Sequence, residues 1–181
     1  MRRAGLATVL AAASLALTAC GASEPAPLTA MQPDAPADLC ATVPEATRTG
    51  LETSSDTDTS GDPTAACSLR SAPGVSPEVR AVVTWLRVND EKAADTVLDS
   101  QCRAIDRTVF REPAGLSIDG ADKTCAGSGK VGSAEAATLA AVAGRTVITV
   151  RWSSQPGGAQ SVLASTTQVA TGLIGSLGEG S

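Results

Sequence analysis

Aromatic side chains are almost absent from this chain, and that limits what it can fold into. Trp85, Trp152 and Phe110 are the only ones in 181 residues. A core must therefore be assembled from Val, Leu, Ile and Ala. Such side chains each bury little area, so a domain of this size benefits from covalent staples. Cys40, Cys67, Cys102 and Cys125 provide them, while a fifth cysteine, Cys20, sits at the end of an apolar leader. An even set of cysteines in an exported chain points to disulfides. Of the three possible pairings, Cys40–Cys67 with Cys102–Cys125 closes the shorter loops and is the one expected. A zinc site is disfavoured, because no CxxC pair and no His is present.

The leader explains the fifth cysteine. Met1-Arg2-Arg3 is a short basic start, and Ala4 to Ala19 carries no charge. That run is short of the roughly 20 apolar residues needed to span a bilayer, but its length and flanks suit a secretory signal peptide over residues 1–19. It ends Leu17-Thr18-Ala19-Cys20, which resembles the bacterial lipobox. The resemblance implies cleavage before Cys20 and a diacylglyceryl group on its sulfur, often with an added N-acyl chain such as palmitate. Nothing after Arg2-Arg3 matches a twin-arginine consensus, so the general secretory route is expected. Residues 20–37 are rich in Ala and Pro without apolar periodicity, and read as a tether at about 3.1 Å per residue where extended. The location implied is the outer face of the cell membrane.

Residues 38–181 then form one extracytoplasmic domain. The chain is acidic, with 14 basic against 19 acidic residues, and more so once Arg2 and Arg3 are removed. It lacks the electrostatic footprint of a nucleic-acid binder. Arg outnumbers Lys and Ala, Gly, Thr and Pro abound, the residue usage of a GC-rich, actinobacterial type of genome.

Along the domain, Asp38 is a candidate N-cap for a helix over Leu39–Leu51, with Pro44 shortening or displacing it. Glu52 to Pro63 is polar and reads as a loop. Ala65–Arg70 is a short strand, and Pro73-Gly74 marks a turn. Val79–Val88 is rich in β-branched residues and reads as a strand. Asp90 then caps a helix over Glu91–Arg107, where Ala94, Val97, Leu98, Cys102 and Ile105 repeat at helical spacing. Val109 to Ala126 is irregular, with short strands expected at Leu116–Ile118 and Lys123–Ala126. Glu135–Val142 and Arg145–Ser153 form a hairpin around Ala143-Gly144, placing Ile148, Val150 and Trp152 on one face and Val147, Thr149 and Arg151 on the other. Gln155–Gly158 is a turn. The last helix carries an apolar stripe at Val162, Leu163, Val169, Leu173, Ile174 and Leu177. RAVVTWLRV and RTVITVRWS echo one another, each followed by a turn and an Ala-rich helix. The fold expected is α+β: an antiparallel sheet of about four to five strands, covered on one face by two or three helices, with two disulfides.

The lipobox, the Pro/Ala tether, Asp38-Leu39-Cys40, Cys67-Ser68-Leu69, the strand–helix repeats and the closing helix together resemble the DUF3558-type lipoproteins of actinobacteria. A more distant resemblance is to the extracellular sensor domains of mycobacterial serine/threonine kinases. It covers residues 38–178 and implies location and fold. The family has no common established activity. The aromatic expected after the second cysteine is replaced by Leu69.

Motifs for chemistry are few. Asp56-Thr57-Asp58-Thr59-Ser60-Gly61 opens like a calcium loop, but Cys67 stands where the bidentate Glu belongs. A solvated acidic loop is the expectation for Asp56–Asp62, with weak calcium binding as the alternative. Gly127-Ser128-Gly129-Lys130 lacks the leading Gly and the Ser/Thr of a phosphate loop, and reads as a turn before a strand. The absence of His removes Ser-His-Asp chemistry and most acid–base chemistry at neutral pH. Asp119 and Asp122, near each other in a loop, are the candidate carboxylates for glycosidase-type work, and surface solvation explains them better. Trp85 and Trp152 are read as core residues, with a ligand-facing surface as the alternative.

The expectation is a non-enzymatic binding or sensing module with no cofactor, no metal and no catalytic residue. It would meet an envelope protein, a cell-wall component or a small apolar ligand. The alternatives are a carboxylate-dependent cell-wall hydrolase and a structural accessory lipoprotein. Cys20 is the lipidation site, and Cys40, Cys67, Cys102 and Cys125 are the disulfide residues.

Overall fold

The computed structural model describes residues 36–106 and 116–178. The expectations for the signal peptide, for Cys20, for the tether up to residue 35 and for the stretch 107–115 lie outside those residues.

Six strands make one antiparallel sheet in the order β1-β2-β3-β6-β5-β4. They are β1 (Leu51–Asp58), β2 (Thr64–Ser71), β3 (Glu78–Arg87), β4 (Lys123–Val131), β5 (Ala134–Ala143) and β6 (Thr146–Gln155). The helices are α1 (Leu39–Thr42), α2 (Glu45–Arg48), α3 (Glu91–Asp106) and α4 (Ala159–Gly178). The chain thus runs as two three-stranded meanders, each followed by a long helix. The meanders meet at β3 and β6, where Val83 faces Val150. Trp85 and Trp152 each lie two residues beyond that pair, so the echo in the sequence marks the third strand of each half.

The helices do not share a face, contrary to the one-sided cover expected. In β3 the side chains of Ala81, Val83 and Trp85 are buried on one face, in register with Trp152, Val150 and Ile148 of β6. That face is closed by α4, through Val162, Val169, Leu173 and Ile174, and by Leu39, Cys40 and Val43 at α1. Both Trp residues are buried there. On the opposite face Ala140, Val142 and Val147 pack with Ala94 and Leu98 of α3. The strip β4–β5–β6 is apolar on both faces, so it needs a layer on each. The face of β1–β2 turned toward the α3 side presents Glu52, Ser54, Asp56 and Asp58 beside Arg70 and Ser68, and is solvated.

Local chemistry sets the ends of the elements. The two-residue hairpin turns after β4 and β5 open on Gly132 and Gly144, at φ 61° and 56°. That is the type II′ arrangement, which suits the twist of paired strands and favours Gly at the first central position. The Asp90 carboxylate accepts from Ala93 N at 2.7 Å and caps α3 as expected. The Asp38 carboxylate accepts from Cys40 N and Ala41 N, but the helix expected over Leu39–Leu51 is two single turns. Pro44 offers no N–H to continue the first.

Three further expectations are corrected. Glu52 to Asp58 is strand, not loop: β1 pairs with β2 along its whole length. Gly127 to Lys130 lies inside β4, paired with Thr138 to Glu135, so the turn falls later, at Gly132-Ser133. Leu116–Ile118 is not a strand, although Ile118 is buried against the α4 side.

Both disulfides have the pairing expected. Cys40–Cys67 ties α1 to β2, and Cys102–Cys125 ties α3 to β4. Among the described residues no helix is long and apolar enough to cross a membrane.

Candidate functional site

The two faces of the sheet are unequally covered, and the site follows from that. α3 packs mainly on β4, β5 and part of β6. Beyond its C-terminal turns no other described element covers this face of the sheet, and a groove of about 500 Å³ runs between helix and strands. Small-molecule sites span roughly 300–1,000 Å³. Gln101, Ala104 and Ile105 form the helical wall. The floor is Arg80 and Val82 of β3, Arg151 and Ser153 of β6, and Ala136 and Thr138 of β5, with Val131 at the rim.

Small residues make the hollow. Gly127 pairs with Thr138 and Gly129 with Ala136, so β4 raises no side chain from this part of the face. Ala104 does the same on the helix. Cys102, one residue from Gln101, is bonded to Cys125 of β4, and this bridge holds the wall at its distance from the floor. A second link, Lys123 Nζ to Asp95 Oδ2 at 2.7 Å, joins the same strand and helix. The Asp95 carboxylate raises the Lys123 ammonium above its usual pKa.

The lining is mainly apolar. Val82 is 42% and Val131 57% exposed, and only Val75 is also a large exposed aliphatic among the described residues. The charges are distinctive. Arg70 is paired with Glu52 at 2.8 Å and Arg80 with Glu78 at 2.6 Å. Arg151 lies directly across from Val82 and Thr138. Its exposed guanidinium has no hydrogen bond or ion pair with any described residue. No Asp or Glu is among the described lining residues. A second hollow of about 610 Å³ lies at the β2–β3 turn, against the paired Arg70 and Arg80.

The residues singled out in the sequence do not converge. Asp122 Oδ2 accepts from Gly144 N at 2.7 Å and braces the β5–β6 turn. Asp119 lies on an exposed turn, and neither carboxylate lines the groove. Asp56 and Asp58 share one face of β1 while Thr57 turns to the other. The Asp58 carboxylate is occupied by Ser60 N at 2.8 Å, a bond that lowers its pKa. Among the described residues no group of three or more His, Cys, Asp or Glu is placed to hold a metal ion. Cys20 lies outside the described residues. The groove residues Val82, Val131 and Arg151 carried no signal as a group. The clue was Arg151 itself, a charge in the middle of an apolar strand, on the same face as Val147 and Thr149.

The chain matches no family model, no curated protein and no solved structure.

Proposed function

We propose that this protein is a lipid-anchored binding module at the outer face of the cell membrane, and that the groove beside α3 is where it binds. The observation that carries the reading is the groove itself. It is a mainly apolar hollow of ligand size, held open by a disulfide and edged by two of the three large exposed aliphatics among the described residues. The two disulfides suit an oxidising compartment. The Leu17-Thr18-Ala19-Cys20 sequence supports anchoring through Cys20, and the likeness to DUF3558-type lipoproteins agrees with that location.

Three experiments test the reading. Mass spectrometry of protein from the membrane fraction should show a chain beginning at an acylated Cys20. An intact, unmodified N-terminus would remove the anchor from the proposal. For the groove, molecules released on denaturing washed protein should be lost in Val82→Trp, which fills the floor without touching the α4 side. Turnover of peptidoglycan, glycan, ester or peptide substrates that a single Asp or Glu substitution abolishes would replace binding with hydrolysis.

A further inference from the structure

We infer that the groove takes an amphiphile with one anionic head, a carboxylate or phosphate monoester, and that Arg151 holds the head while Val82 and Val131 contact the chain. The inference rests on the groove being the binding site and adds the chemistry of what fills it.

Of the three strand arginines on this face, Arg70, Arg80 and Arg151, only one is without an ion pair among the described residues. Arg70 and Arg80 are neutralised by Glu52 and Glu78. Arg151 is not, although Val82 on β3 and Thr138 on β5 flank it in the middle of the sheet. A guanidinium offers a planar fork of donors that fits carboxylate and phosphate oxygens two at a time. It stands on a floor with one apolar wall, at Ala104 and Ile105, where water is partly displaced and an ion pair is worth more than in bulk. The absence of acidic groups from the described lining removes competition for the cation. Apart from Arg80 and Gln101 the rest of the described lining is aliphatic or small, and Trp152 packs its ring into the core on the α4 side, so the described residues offer no aromatic platform for stacking a sugar or a base, which favours an alkyl chain. The protein as a whole is acidic, at −5. Anions are therefore repelled from most of its surface, and selection for a negative head must come from this one place.

The test uses the chain from residue 20 with Cys20→Ala, so that no attached acyl group competes. Calorimetry is run with decanoate, decyl phosphate and decanol below their micelle concentrations, and with acetate and inorganic phosphate. At least one of the two anionic amphiphiles should bind about tenfold or more tightly than decanol. Which of them binds better separates a carboxylate head from a phosphate monoester. Arg151→Gln should erase the advantage over decanol, Arg151→Lys should keep part of it, and Arg103→Gln on the exposed side of α3 should leave it intact. Thermal melts of each variant monitor the fold. If decanol matches the anions and Arg151→Gln changes nothing, the anionic head is refuted while the groove reading stands. If inorganic phosphate alone binds as well as decyl phosphate, the role of the valines is refuted. If no amphiphile binds, or binding ignores Val82→Trp, both the inference and the groove reading fall. A dimer that buries Val82 and Val131 between copies also overturns it.

Discussion

Replacing Cys102 and Cys125 together by Ala should cost about 3.5 kcal/mol of stability, most of it through the unfolded chain. The figure follows from the separation of 23 residues between the two cysteines, entered in the loop-closure expression for the entropy a crosslink removes. Packing adds little, because both residues are only half-buried at the edge of the α3 cluster. Domains of this size are stable by about 5–15 kcal/mol, so the loss is large but leaves a folded protein. Urea unfolding followed by circular dichroism should show a lower midpoint and a steeper slope, since an uncrosslinked chain exposes more surface. Native-state hydrogen exchange should show the added loss of protection concentrated in the last turns of α3. The same variant should weaken groove binding, because Gln101, Ala104 and Ile105 lose the bond that spaces them from the sheet. A stability loss below about 1 kcal/mol with an unchanged slope would refute the entropic account. Full groove affinity in a stable variant would refute the spacing role.

Other outcomes follow from single groups. Trp85 is buried and its indole Nε1 has no hydrogen-bond partner in the structure. Trp85→Phe therefore removes an unsatisfied donor along with some volume, and should cost far less than the roughly 3–5 kcal/mol expected of Trp85→Ala; thermal denaturation of the pair decides it. Asp90→Ala should lower stability by about 1 kcal/mol through loss of the α3 cap, measured by urea titration. The Asp58 carboxylate should titrate below its ordinary value of 3.8, because Ser60 N–H bonds its charged form. Its folded pKa is depressed, so its contribution is present above the unfolded pKa and is lost as pH falls through the folded one. Carboxyl NMR shifts give the value, and Ser60→Pro should return it to normal.

How far the fold could be read from the sequence depended on burial. β3, β6, α3 and α4 bury one face or both, so their apolar spacing announced them. So did the β5–β6 hairpin, where Gly144 marks the turn. β1 did not. Its residues after Leu51 are all exposed, so no alternation of apolar and polar side chains betrays it. It exists because β2 offers it a full ladder of backbone partners. Its Ser55 hydroxyl also receives Leu39 N at 3.1 Å. The Gly127–Lys130 stretch misled for a related reason. Its glycines are not there to turn the chain but to leave the face of β4 bare. The groove was invisible for the same cause: a hollow is defined by side chains that are missing, and by which face α3 chooses. That choice turns on the apolarity of both sides of β5, which only the full sheet order makes plain.

The first disulfide also decides how the domain would respond to force. The chain reaches the domain at Pro36 and Ala37, whose carbonyls accept from the Thr57 hydroxyl. It becomes covalently fixed at Cys40, bonded to Cys67. A pull delivered through the N-terminal segment first strips those weak bonds, then passes through sulfur into β2, one strand from the centre of the sheet. α2 and β1 lie inside the closed loop and carry no load. The second bridge shields another loop, with separations of 27 and 23 residues for the two. Together they withhold roughly 170 Å of contour length from any stretched chain. Neither loop covers the chain between Cys67 and Gln101, so a domain pulled through its N-terminal segment must give up β2, β3 and most of α3, roughly 115 Å of chain, before the tension reaches the second bridge and the wall that forms the groove.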